Sequence, residues 1–161
     1  LTVLRAFGRY AIEQPDARLY MVYQTEALLE DINKLVQSEP ALQKAVVLVG
    51  SVPHQVMEDW YNSADFIISA SHYEGSGVAV CEAMSCGCIP ILSDIPSFRA
   101  MTGEGSCGFL YPPGNPEALL ALLLHTKTIN REQEKEKTLR QFRKELSSGA
   151  IAAKIEAIIA E

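Results

Sequence analysis

A chain of 161 residues is long enough to bury a core without disulfides or metals. Its 48% hydrophobic and 21% charged residues exclude a disordered tail or a coiled coil. Fourteen Lys and Arg against twenty Asp and Glu leave a net charge of −6, which argues against nucleic acid as a partner because phosphate contacts need a basic face.

In chain order, Leu1 to Ile12 has the spacing of an amphipathic helix, with Val3, Leu4, Phe7 and Ala11 on one face, ending near Pro15. Arg18 to Tyr23 is a short apolar run of the buried-strand type, and Glu26 to Ser38 returns to helical spacing through Leu28, Leu29, Ile32, Leu35 and Val36. Ala45 to Val49 is a β-branched run that stops at Gly50. Val56 to Ser63 reads as a helix, Asp65 to Ser69 as a strand, Val78 to Ser85 as a helix closed by Gly87, and Ile89 to Leu92 as the next strand. Gly108 to Tyr111 is the last strand and Pro116 to Leu124 an apolar helix. Lys127 to Glu145 holds seven basic and four acidic residues, the pattern of a solvated helix face or of a basic surface for lipid or a partner domain. Gly149 is expected to separate this stretch from a final helix, Ala150 to Ala160, striped by Ile151, Ile155, Ile158 and Ile159.

Continuous apolar strands alternating with helices imply an α/β fold, a Rossmann-like, mostly parallel sheet covered on both faces. A single domain over 1–161 with C-terminal helices from 131 is expected. Ligands in such sheets bind beyond the carboxyl ends of the strands, so function is sought after Val49, Ser69 and Leu92. The longest wholly apolar run, Ala118 to Leu124, is far short of the ~20 residues that span a bilayer. No leader-like segment opens the sequence, and a cytoplasmic location is expected. Cys81, Cys86, Cys88 and Cys107 lack paired metal or disulfide spacing and read as packed thiols, so no metal is expected.

The informative stretch is Ser69 to Ser93, a strand, a glycine-bearing turn, a helix and a strand. Gly75 and Gly77 are expected to let the backbone turn sharply and approach a ligand. The amides of Ser76, Gly77 and Val78 then lie at a helix N-terminus, where unpaired N–H groups and the dipole favour a phosphate. Glu74 precedes the glycines, and Glu82 falls about four residues into the helix, roughly 6 Å along it. Helical side chains lean toward the N-terminus, which lets the Glu82 carboxylate reach a ribose diol attached to a bound phosphate. From spacing alone, an exposed helix acid and an ordinary turn residue explain the two glutamates equally well.

The run Glu74-Gly-Ser-Gly-Val-Ala-Val-Cys-Glu82, continuing through Ala-Met-Ser-Cys-Gly-Cys-Ile-Pro-Ile-Leu-Ser-Asp94, resembles the signature of retaining GT-B glycosyltransferases, most closely glycosyltransferase family 4. Ala64 to Ser71, Gly108 to Leu119, Pro15 to Val22 and Val46 to Pro53 extend the resemblance over nearly the whole chain. It implies that Glu82 binds the ribose of a nucleoside-diphosphate sugar and that the amides from Gly75 to Val78 hold sugar and diphosphate. It further implies that Glu74 contacts the transferred sugar as the catalytic group, without being assigned as nucleophile, and that the backbone of Val52 meets the base. Retention of configuration, no cofactor beyond the sugar donor, and no metal are implied as well.

Ser76 stands where the family usually has Phe, Tyr-Gln-Thr follows Val22 where Gly-x-Gly is common, and Ser97 to Arg99 depart from the family pattern. The family's first strand, with its Gly-Arg turn and nearby Lys, has no match ahead of Leu1, nor has the acceptor-binding N-terminal domain. The sequence therefore reads as the donor-binding part of a larger enzyme, with an interruption expected in its sheet and little transfer expected from this part alone. Polysaccharide or glycolipid assembly, with peripheral membrane association of the whole enzyme, fits that resemblance. A GT-B nucleotide-sugar epimerase and a non-catalytic nucleotide-sugar-binding module are the alternatives. His72 reads as a loop residue without a role or as a group near the sugar, and Trp60 and Tyr61 as packing. His54 and His125 carry no signal. Ser93 and Asp94 either line the cleft or cap the following helix.

Overall fold

The computed structural model describes residues 1–160, which form two compact units: Leu1–Met57 with Gly114–Thr128, and Glu58–Pro113 with the residues from Ile129 on. Two sheets form, with every pairing parallel: β1 (Leu19–Val22) with β2 (Val46–Gly50), and β3 (Phe66–Ser69), β4 (Ile89–Ser93), β5 (Phe109–Tyr111) in that order. The first sheet lies within the first unit and the second within the second.

In the first unit, α1 (Thr2–Glu13) buries Leu4, Ala6, Phe7 and Ala11, the face its apolar spacing marks. It packs on α7 (Pro116–His125), whose Leu119, Leu120 and Leu123 are buried. Asn115 caps α7 by accepting the Ala118 N–H at 3.0 Å, ahead of Pro116 in the first turn. Arg9 and Glu117 form an exposed ion pair between the two helices. α2 spans Leu29–Ser38, beginning three residues later than its apolar spacing suggests. α3 (Pro40–Ala45) has no counterpart in the sequence reading, because six residues are too few to show a helical period. Pro40 starts it, and Leu42 and Ala45 bury its inner face.

In the second unit, β4 is buried along its whole length, as a central parallel strand must be. α5 (Val78–Ser85) and α6 (Pro96–Thr102) supply Val80, Met84, Phe98 and Met101 to a core completed by Leu92, Ile95 and Cys107. α4 (Met57–Ser63) precedes β3 and contributes buried Tyr61. Gly108 enters β5 at φ +66°, where an added Cβ would lie 2.3 Å from the Pro90 carbonyl oxygen.

The charged tail is not simply a solvated face. α8 (Arg131–Gln141) buries Thr138, and Gln141 Nε2 donates to the Met101 carbonyl at 3.2 Å. A π-helical turn, Phe142–Leu146, then lays Phe142 and Leu146 against the core. α9 (Ser148–Ile159) contains Gly149 instead of beginning after it, because Ser147 Oγ accepts the Ala150 N–H and sets the cap ahead of Gly149.

Candidate functional site

The loop that leaves β3 is held by buried hydroxyls from the neighbouring strands. Tyr111 Oη donates to the Ser69 carbonyl at 3.0 Å, and Ser93 Oγ donates to the Ser71 carbonyl. Tyr111 and Ser93 are 1% and 0% exposed, so neither hydroxyl has water as an alternative partner. Burial pushes the Tyr111 hydroxyl up to about 12, which keeps it a donor. Ser93 thus neither lines the cleft nor caps α6. It fixes the backbone two residues beyond β3. Asp94 instead forms a two-pronged ion pair with Arg99 of α6, which lowers the Asp94 carboxyl below its usual range.

From this anchored start the loop runs to Gly77, the N-cap of α5, with φ +56° and ψ 38°. A side chain there would be strained by the left-handed backbone, and its Cβ would lie 2.9 Å from Met101 Sδ and 3.2 Å from Phe98 Cε1. Gly77 is thus required both by conformation and by close packing. The chain bends at Gly75 and Ser76, but Gly75 does so without a positive φ, and nothing lies within 4 Å of an added Cβ there.

Glu74 and Gly77 are brought together, Glu74 Oε1 accepting the Gly77 N–H at 3.3 Å. No side chain caps the first turn of α5, where Val78 is 56% exposed. Ser76 is exposed, and Glu74 and Glu82 are half-buried. Glu82, in the second turn of α5, accepts a hydrogen bond at Oε2 from Tyr61 Oη at 3.2 Å. Desolvation, reinforced by the neighbouring Glu82 charge, pushes Tyr61 up to about 12. Tyr61 packs as expected, but its hydroxyl contact was missed: the twenty-one residues that separate it from Glu82 give no periodic signal. Val52 stands in the first unit, half-buried two residues beyond β2. His72 is exposed on the site loop.

Cys88 and Cys107 are buried thiols pushed up to about 11, chiefly by desolvation, in keeping with a packing role. Among the described residues no three His, Cys, Asp or Glu side chains converge as a metal site, and no helix is long and apolar enough to cross a membrane.

The arrangement is a helix start flanked by two carboxylates, set at the carboxyl end of a parallel strand. Known proteins resemble the chain in sequence and in fold. The GDP-mannose:cellobiosyl-diphosphopolyprenol alpha-mannosyltransferase of Xanthomonas oryzae pv. oryzae is 37% identical over 99 residues, covering 59% of this chain and 26% of that protein. The chain thus spans about a quarter of that relative's length. The C-terminal domain of a glycosyl transferase group 1 family protein (LpcC) from Francisella tularensis superposes with a TM-score of 0.80 at 19% identity, covering 91% of this chain and 78% of that one. The pneumococcal O-GlcNAc transferase GtfA, solved with UDP and GlcNAc, gives a TM-score of 0.79 at 17% identity over 99% of this chain and 32% of its own. The fold is therefore that of the C-terminal domains of GT-B glycosyltransferases. The family model for glycosyl transferases group 1 matches residues 1–126, and the chain belongs to that family.

Proposed function

We propose that residues 1–161 are the donor-binding part of a retaining glycosyltransferase that moves a sugar from a nucleoside diphosphate to a glycan or glycolipid acceptor. The observation that carries this reading is the start of α5: a helix N-terminus without a side-chain cap, with Glu74 just before it and Glu82 in its second turn. The N–H groups of Gly75, Ser76 and Val78, with that of Gly77 once Glu74 releases it, and the positive end of the helix dipole suit a diphosphate and the charge it gains as it leaves. Glu82 suits the ribose hydroxyls one turn further along. Glu74, bonded to the loop that would lie under the sugar, is the carboxylate suited to the positive charge developing on the sugar ring. No metal enters this scheme, because the amides and dipole meet the diphosphate. The backbone at Val52 is assigned to the base on the family resemblance alone. The acceptor-binding domain is assigned to the rest of a longer protein.

The relative from Xanthomonas is named for GDP-mannose, which makes a GDP-sugar the first donor to test. Calorimetric titration of the complete protein with GDP, UDP and ADP should give saturable binding to one of the three. Binding should weaken when Glu82 is replaced by Gln. Absence of binding to all three, or unchanged affinity in Glu82→Gln, would overturn the assignment.

A further inference from the structure

We propose that Tyr61 is a positioning residue for the donor, presetting the Glu82 carboxylate to receive a ribose diol. The proposal rests on the reading of Glu82 given above and adds a residue from a different element to that site. Tyr61 lies in the last turn of α4 with only 8% of its surface exposed, and its hydroxyl meets Glu82 Oε2 at 3.2 Å. Its backbone carbonyl accepts from the Cys88 thiol, just ahead of β4, at 2.9 Å, with the Ala64 carbonyl 3.5 Å from the same sulfur. Burial restricts the ring, so its hydroxyl offers the carboxylate a fixed point.

The chemistry of the pair suits this role. Burial and the adjacent charge keep the Tyr61 hydroxyl protonated, so it can give a hydrogen bond to Glu82 throughout the neutral range. A carboxylate has about four acceptor positions, so one bond from Tyr61 does not by itself prevent it from accepting from a diol. A glutamate on a helix otherwise samples many rotamers, and that freedom is lost on binding. Fixing one oxygen beforehand removes part of this cost, as preorganisation does in binding sites generally.

The test is Tyr61→Phe, which removes one oxygen and keeps the ring, measured in the complete protein. The probes are the ribonucleoside diphosphate that binds best and its 2′,3′-dideoxy counterpart. Tyr61→Phe should weaken the ribonucleotide about three- to tenfold and leave the dideoxy nucleotide unchanged. The double variant Tyr61→Phe/Glu82→Gln should bind the ribonucleotide no more weakly than Glu82→Gln, since the ring then has no charge to orient. Equal weakening of both nucleotides by Tyr61→Phe would show a role in packing only and overturn the proposal. So would no weakening of either, or additive losses in the double variant. If Glu82→Gln itself fails to discriminate the two nucleotides, the ribose reading falls first. A selective Glu82→Gln with an indifferent Tyr61→Phe removes Tyr61 alone.

Discussion

Gly77 and Gly75 look alike in sequence, and the structure separates them by an amount that can be measured. Replacing Gly77 by Ala forces a side chain into a left-handed conformation, at about 1–2 kcal/mol. The new Cβ also meets Met101 Sδ at 2.9 Å and Phe98 Cε1 at 3.2 Å. Both neighbours are buried in the core, at 6% and 0% exposure, so neither side chain can swing into solvent to make room. Overpacking of this kind costs about 1–3 kcal/mol. Together the two effects destabilise Gly77→Ala by about 2–5 kcal/mol. Gly75→Ala meets neither obstacle and should be neutral, or stabilising by up to about 1 kcal/mol through reduced freedom of the unfolded chain. Equilibrium urea unfolding measures both, with equal slopes required before midpoints are compared. The Met101 share of the steric part is isolated by placing Gly77→Ala in a Met101→Ala background, where the cost should fall toward the conformational part of about 1–2 kcal/mol, with only the Phe98 contact left to add to it. If Gly77→Ala proves as mild as Gly75→Ala, or its cost is undiminished in the Met101→Ala background, the account of the turn is wrong.

The buried hydroxyls that hold the site loop give two further expectations. Ser93→Ala and Tyr111→Phe should each cost about 0.5–1.5 kcal/mol and speed amide hydrogen exchange between residues 70 and 77 more than elsewhere in the second unit. In alkali, Tyr111 ionises at about 12 in the folded chain against an ordinary value of 10.0. The unfolded chain thus releases its proton first, and the stability Tyr111 contributes, complete below pH 10, is lost as pH rises toward 12. Stability measured across that window should fall less steeply in Tyr111→Phe than in the unaltered protein.

What was legible in the sequence follows the physics of each signal. β4 and the apolar face of α1 were plain because burial writes a continuous run or a 3.6-residue period into neighbouring positions. The helix carrying Glu82 matched from Val78 to Ser85, since Gly77 and the residues after Ser85 punctuate both ends. α3 stayed hidden: it is shorter than two full turns and is announced only by a proline at its start. The contacts that make the loop a site were not legible at all. Tyr111 reaches Ser69 across forty-two residues, and Tyr61 reaches Glu82 across twenty-one. Such pairings are set by strand order and register, which no local pattern encodes.

Glu74 has two roles in this reading, and they can be separated. In the structure its carboxylate acts as a local cap, accepting the Gly77 N–H just ahead of α5. A neutral amide can do this equally well, because Gln keeps a carbonyl oxygen in the same place. The charge adds only the interaction of an acid with a helix N-terminus, about 0.3–1 kcal/mol. Glu74→Gln should therefore unfold within about 1 kcal/mol of the unaltered protein, whereas Glu74→Ala gives up the cap as well as the charge. Charge stabilisation at the sugar follows a different rule: an amide oxygen cannot replace an anion, and transfer should fall by roughly 10²–10³-fold in Glu74→Gln. A residue that served only the fold would instead leave Gln fully active and Ala impaired in proportion to its lost stability. Initial transfer rates and urea midpoints on the same two proteins decide between them. A fully active Glu74→Gln would confine Glu74 to the turn and leave the chemistry without its acid.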